Sequence, residues 1–123
     1  MRFLVLIVLL TACLNTSAAD ADGAYGIRGV GNIGCGKYVA DYQENVIGYD
    51  KLVNDAWVAG FLSATNRHVK NNVRDVAANI DLESIRLWIF NYCNAHPLED
   101  LHDATVKLVD ALSKSQPRPS TTK

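Results

Sequence analysis

Two cysteines, Cys35 and Cys93, constrain the fold of this chain more than any other feature, because an export signal precedes them. The chain contains three cysteines, and the third, Cys13, lies in the leader. Thiols that leave the cytoplasm usually pair. We therefore expect a disulfide between Cys35 and Cys93, which closes a loop of about 58 residues and contributes about 4 kcal/mol in the chain-entropy estimate. The alternative is two buried thiols that never meet.

The leader is an apolar run at residues 3–10 that follows one basic residue, Arg2. The run is shorter than the roughly 20 apolar residues that span a bilayer. Charge, apolar core and small residues follow in the order of a secretory signal, which predicts a cleaved signal peptide at residues 1–19 and a periplasmic protein. A competing signal, LTAC, ends at Cys13. It resembles the bacterial lipoprotein box and would anchor the protein to the envelope through a lipid on Cys13.

Length and charge limit what the exported part can be. The roughly 100 residues that follow the leader are the size of a single domain. The chain has 12 Lys and Arg against 13 Asp and Glu. Nucleic-acid binding requires a basic face, so we expect no nucleic-acid partner, and contact with a membrane only if Cys13 is lipidated.

Helical periodicity begins at Cys35 and continues to the end of the domain. Apolar residues recur every three or four positions in four stretches, and no stretch alternates as a strand would. Asp81 is a typical helix cap, and Pro97 disfavours helix in the residue before it. The predicted helices are a first one from Cys35, a second at about 51–66, a third after Asp81 to about Ala95, and a fourth at about 101–114. The predicted class is therefore all-α, a compact four-helix domain at residues 35–114 closed by one disulfide.

The segments on either side of this domain lack periodicity. Residues 20–34 are rich in glycine, and we expect a flexible lead-in whose glycines form a mobile arm or allow a close approach to the domain surface. Residues 115–123 carry Pro, Ser and Thr, which favours a disordered tail.

Small residues repeat every four positions in the second helix, at Ala56, Gly60 and Ala64. Small residues in register allow another backbone to come close. We expect this stripe to be buried in a helix crossing, with Gly60 at the contact point.

The histidines His68, His96 and His102 are the candidates for metal or acid–base chemistry. Zinc ligands come in short paired spacings, whereas His96 and His102 lie on either side of a proline turn, so we expect no metal site and no cofactor. A nucleophilic pair of Cys93 and His96 requires a free thiolate, which export disfavours. The carboxylates fit helix caps and solvated faces. We predict that the protein is not an enzyme, and a small enzyme that uses a free Cys93 and His96 is the alternative.

A polar connection follows the second helix and carries a basic group of residues. Long connections often have a function. The group could meet an acidic protein partner, and a solvated loop is the alternative. The basic group consists of Arg67, His68, Lys70 and Arg74.

Several segments together resemble small exported helical proteins of proteobacteria. They are WVAGFLSA at 57–64, Tyr92-Cys93, His96-Pro97-Leu98, Asp103-Ala104, and Leu108-Val109 with Leu112. The chain resembles the Rap1a/Tai immunity proteins over about residues 35–112 and, more distantly, the HdeA/HdeB acid-stress chaperones. The first resemblance implies a rigid domain that binds a toxin. The second implies a domain that binds unfolded clients after acid exposes its apolar surface.

Overall fold

The computed structural model describes residues 24–44, 48–68 and 75–115. Within these ranges the chain forms four α-helices, one short 3-10 helix and no strand. They are the 3-10 helix Gly29–Asn32, α1 Cys35–Gln43, α2 Tyr49–His68, α3 Leu82–Ala95 and α4 Leu101–Ser115. The predicted all-α, four-helix class is confirmed. The predicted leader with Cys13 and the predicted tail beyond Ser115 lie outside the described residues.

Local signals set the two ends of α3 as the sequence predicts. The Asp81 carboxylate accepts a hydrogen bond of 2.8 Å from the backbone N–H of Ser84, and this bond holds the pKa of Asp81 below its usual value. At the other end, the backbone N–H of His96 donates to Tyr92 O, and Nδ1 of His96 lies 2.9 Å from the same oxygen. Pro97 follows, so α3 stops at Ala95.

The predicted disulfide between Cys35 and Cys93 is confirmed. Both cysteines are fully buried, and their Cα atoms are 4.8 Å apart. The bond joins the first turn of α1 to the last turn of α3, and these two helices pack along each other. It therefore lies in the buried interior, at adjoining ends of the two helices.

A short backbone bridge ties the start of α4 to the residues before α1. The N–H of Cys35 donates to Glu99 O at 2.8 Å, and the N–H of Leu101 donates to Ile33 O at 3.0 Å. These bonds form an isolated antiparallel bridge around Gly34. Because the bridge adjoins Cys35, the disulfide and the bridge together hold the ends of three helices at one place.

The hydrophobic core lies between the helices and draws on all four of them. Its side chains are largely aliphatic, and α4 contributes three of them along one face. The buried hydrophobic residues are Cys35, Tyr38, Val58, Leu62, Val76, Ile85, Ile89, Cys93, Leu101, Ala104 and Leu108.

The predicted helix crossing at Ala56, Gly60 and Ala64 is wrong. All three residues are exposed, and a Cβ built on Gly60 would meet no atom within 4 Å. The residues of α2 that are buried lie on another side of the helix and are Asn54, Val58 and Leu62. Because α2 carries apolar residues on most sides, its periodicity does not determine which side faces the core.

Contacts of two neighbouring residues with distant parts of the chain settle the rotation of α2. Asp55 pairs with Arg86 of α3, and the indole N–H of Trp57 donates to Arg28 O at 2.7 Å. These contacts turn the small-residue stripe towards solvent.

The glycine-rich lead-in contacts the helices through its 3-10 helix, whereas residues 24–26 are exposed. The 3-10 helix contacts both α2 and α4. Gly31 is buried, and a Cβ at this position would lie 2.2 Å from Cζ2 of Trp57 and 2.7 Å from Cγ2 of Ile27. Of the two roles proposed for the glycines, the structure supports the close approach.

Candidate functional site

A hydrogen-bonded clamp closes the base of the polar connection after α2. The side chain of Asn66 donates from Nδ2 to Asp75 Oδ1 at 3.0 Å and accepts from the backbone N–H of Val76 at 2.8 Å. Asp75 Oδ1 also accepts from the N–H of Ala77 at 3.0 Å, and Val76 is buried in the core. The chain therefore returns, at residue 75, to the point where it leaves α2.

The clamp brings together the ends of the segment that carries the predicted partner surface. We call residues 67–74 the basic segment. Arg67 and His68 are exposed in the last turn of α2, where cations suit the partial negative charge of a helix C-terminus. Lys70 and Arg74 lie outside the described residues. The sequence predicts the polar connection, whereas the contact between Asn66 and Asp75 could not be inferred from it.

A network of ion pairs, which the sequence analysis missed, joins α2 to α3. The Arg86 guanidinium donates from Nε to both carboxylate oxygens of Asp55, at 2.8 and 2.9 Å, and it also pairs with Glu83. The side chains of Arg86 and Asp55 are 14% and 12% exposed. Hydrogen bonding to Asp55 holds the pKa of Arg86 above its usual value.

A shallow depression lies beside this network and is lined by residues of α1, α2 and α3. Tyr38 forms part of its wall, and burial raises the pKa of the Tyr38 hydroxyl. The other lining residues are Asp41, Tyr42, Lys51, Asn54, Asp55 and Arg86. The space is too small for an organic ligand, so the network is best explained as a structural connection between helices.

The proposed nucleophilic pair of Cys93 and His96 does not form in this structure. The Cys93 sulfur is bonded to Cys35 and fully buried, so it is not available as a thiolate. The His96 ring stacks on Tyr92 with ring centroids 4.2 Å apart. The Tyr92 hydroxyl donates to Glu99 Oε2 at 2.6 Å, and this bond raises the pKa of Tyr92 to about 12. His96 therefore acts as the helix-end residue that the sequence predicts.

His102 lies in an aromatic environment that could not be inferred from the sequence. Its residue is 7% exposed, and three aromatic rings surround the imidazole, with centroid separations of 5.6 Å to Tyr25, 6.4 Å to Trp57 and 5.6 Å to Phe61. Nε2 lies 3.4 Å from the Tyr25 hydroxyl. The Nδ1 atom is buried and lacks a hydrogen-bond partner among the described residues.

Two carboxylates flank His102 at the start of α4. Asp100 caps the helix, since its Oδ1 accepts from the backbone N–H of Asp103 at 2.9 Å. Asp103 Oδ1 lies 3.7 Å from His102 Nδ1. One donor atom from each of the three residues lies within 4.8 Å of the other two. His96, the histidine that is nearest to His102 in the sequence, is exposed and lies on the other side of the proline turn.

Several large apolar side chains are exposed on the described surface. Leu98, in the turn between α3 and α4, is 100% exposed. The others lie in the lead-in, near the starts of α2 and α3 and on the outer side of α3. They are Tyr25, Tyr49, Leu52, Leu82 and Leu87. Isolated apolar residues are common on protein surfaces, so these residues alone do not define a site.

No protein-family model, curated protein or solved structure matches this chain. The resemblances to the immunity proteins and to the acid-stress chaperones therefore stay predictions. No helix in the three described ranges is long and apolar enough to cross a bilayer.

Proposed function

We propose that the protein is an exported, non-enzymatic binding domain that holds an acidic protein partner through the basic segment. The observation that carries the proposal is the clamp of Asn66 on Asp75 and Val76. It brings together the described residues on either side of a segment whose sequence carries three cations and a histidine.

The charge of this segment favours an acidic partner. Arg67, Lys70 and Arg74 fall within eight residues of a chain whose formal net charge is −1. A cluster of one sign on a protein of the opposite overall sign is typical of a surface that steers a complementary partner during association. The partner we expect is a protein with an acidic face.

The residues on either side of the segment have fixed positions, which favours binding. A loop whose ends are already held loses less conformational entropy when a partner orders it. Three hydrogen bonds and the buried side chain of Val76 hold the residues that follow the segment. The last turn of α2 precedes it. A toxin, as the resemblance to the immunity proteins implies, is one partner of this kind.

The experiment compares the wild-type protein with a variant of the basic segment, Arg67→Glu with Arg74→Glu. The matched control reverses two exposed charges on α4, Lys107→Glu with Lys114→Glu. Each protein is immobilised and exposed to an envelope fraction of the source organism, and the retained proteins are quantified. The partner is then purified and its dissociation constant is measured with all three proteins.

We expect one acidic protein to be retained by the wild type and the control, and to bind the segment variant at least ten times more weakly. Its affinity should fall as salt is raised, because exposed charges are screened. Equal binding by the segment variant and the control would rule out the basic segment as the binding surface.

The ion pairs between α2 and α3 favour a second candidate, an acid-triggered chaperone. Protonation of Asp55 and Glu83 in strong acid would leave the Arg86 guanidinium without its partners between the two helices. Positive charge would then accumulate on the domain and loosen it. Circular dichroism and binding of a hydrophobic dye at about pH 2–3 test this candidate. An unchanged fold without dye binding would remove it.

A further inference from the structure

We propose that Asp100, His102 and Asp103, at the start of α4, bind a divalent transition-metal ion of the zinc class. Their donor atoms lie within 4.8 Å of one another. The His102 side chain is 9% exposed, and its Nδ1 lacks a hydrogen-bond partner among the described residues. From the spacing of the histidines, the sequence predicts no metal site. That prediction paired His102 with His96 and not with the two neighbouring carboxylates.

The separation between His102 and Asp103 suits a shared ion better than a direct hydrogen bond. Nδ1 and Oδ1 are 3.7 Å apart, whereas such hydrogen bonds are about 2.7–3.2 Å long. Two donors on one tetrahedral zinc ion, each at about 2.0–2.1 Å, lie about 3.4 Å apart. A small rotation of the Asp103 carboxylate, which is half exposed, would complete this geometry.

The far side of the imidazole provides the support that a metal-bound histidine needs. When Nδ1 binds a metal, Nε2 carries the proton and usually donates it to a nearby acceptor. The Tyr25 hydroxyl lies 3.4 Å from Nε2, slightly beyond the usual hydrogen-bond length, and a shift of a few tenths of an ångström would let it accept that hydrogen bond. The rings of Trp57 and Phe61 meet the imidazole edge to face, so the ring plane is set before any ion arrives.

The two carboxylates supply the charge that the site requires. Asp100 uses Oδ1 as the helix cap, and its Oδ2 is available as a ligand. The N-terminus of a helix carries a partial positive charge, which disfavours a cation unless anionic ligands offset it. Two aspartates neutralise a divalent ion, and water completes its coordination. Because an imidazole nitrogen is one of the ligands, the site selects zinc-class ions over Mg²⁺ and Ca²⁺.

The test uses the full chain in its oxidised form, purified without a histidine tag and titrated with ZnCl2 by calorimetry. We expect one zinc ion per chain and a higher thermal unfolding midpoint, since an ion that binds only the folded state stabilises it. MgCl2 and CaCl2 should leave the midpoint unchanged. Asp103→Asn should weaken zinc binding at least tenfold. Asp110→Asn, an exposed carboxylate on the same helix, is the matched control and should bind as the wild type does.

Two further measurements separate the site from surface binding and from misfolding. His96→Gln removes an exposed histidine and should leave zinc affinity unchanged, and nitrogen NMR of the histidine rings should show zinc on Nδ1 of His102. Circular dichroism checks that Asp103→Asn is folded, which we expect because its side chain is half exposed. The proposal is overturned if zinc binds more weakly than about 0.1 mM, if Asp103→Asn binds as tightly as the control, or if His96→Gln abolishes binding.

Discussion

Reduction of the Cys35–Cys93 disulfide should remove a large part of the stability of the folded domain. The bond joins residues 58 positions apart, and it ties the first turn of α1 to the last turn of α3. A loop of that length contributes about 4 kcal/mol in the chain-entropy relation, because the open chain has many more unfolded conformations. A typical domain has a total stability of about 5–15 kcal/mol, so the reduced protein should be marginally stable.

Urea unfolding of the oxidised and reduced protein measures this contribution. A denaturant slope of about 1.3 kcal/mol/M converts 4 kcal/mol into a fall of about 3 M in the unfolding midpoint. Fluorescence of Trp57 and Trp88, which lie on different helices, reports on two parts of the domain. The experiment is done in a Cys13→Ser background, so that thiol labelling counts only the two domain cysteines after reduction.

The double variant Cys35→Ala with Cys93→Ala provides a second measurement of the same contribution. Both side chains are fully buried, so the variant should lose slightly more stability than reduction alone, because it also loses packing contacts. A fall of less than about 0.5 M in the midpoint on reduction would show that the disulfide does not restrict the unfolded chain as argued.

Three further predictions follow from single contacts. Gly31→Ala should destabilise the domain by about 1–3 kcal/mol, because the added Cβ meets the indole of Trp57. Gly60→Ala adds its Cβ in open space on α2 and should stabilise the domain by up to about 1 kcal/mol. Thermal unfolding of the two variants and the wild type measures both changes. Arg86→Met should lower the free energy of unfolding in urea by about 2 kcal/mol, because it leaves the partly buried Asp55 carboxylate on α2 without its partner. Replacing Asp55 as well should restore much of this loss. The pKa of Asp81 is lowered in the folded state, so its ionised form stabilises the fold fully above the unfolded pKa of about 4, and this contribution is lost as the pH falls through the folded pKa. Between pH 6 and pH 2, the urea midpoint of Asp81→Asn should therefore fall less than that of the wild type. Equal falls in the two proteins would contradict this prediction.

The helices could be predicted from the sequence because their limits depend on neighbouring residues. Asp81 caps α3 through a backbone N–H three residues away, and Pro97 acts on the residue that precedes it. In the fourth predicted helix, Leu101, Ala104 and Leu108 recur at helical spacing, and all three are buried in the core.

The candidate sites could be predicted only in part. Arg67 and His68 are exposed as a partner surface requires, but the clamp between Asn66 and Asp75 depends on a contact across the undescribed residues 69–74. The His102 site was missed altogether. The signal that could have found it is the pair of carboxylates beside the histidine, Asp100 and Asp103. In the sequence alone, this pair indicates only the start of a helix.

The sequence by itself determined the number of helices, the caps of α3 and the pairing of Cys35 with Cys93, because capping acts within one turn and only two cysteines lie in the helical domain. Only the tertiary structure decided which side of α2 is buried and what surrounds His102. Asp55 meets Arg86 across 31 positions, and Tyr25 meets His102 across 77. Contacts over such separations form only when the helices pack. Because α2 is apolar on most sides, no local signal in its sequence determines which side is buried.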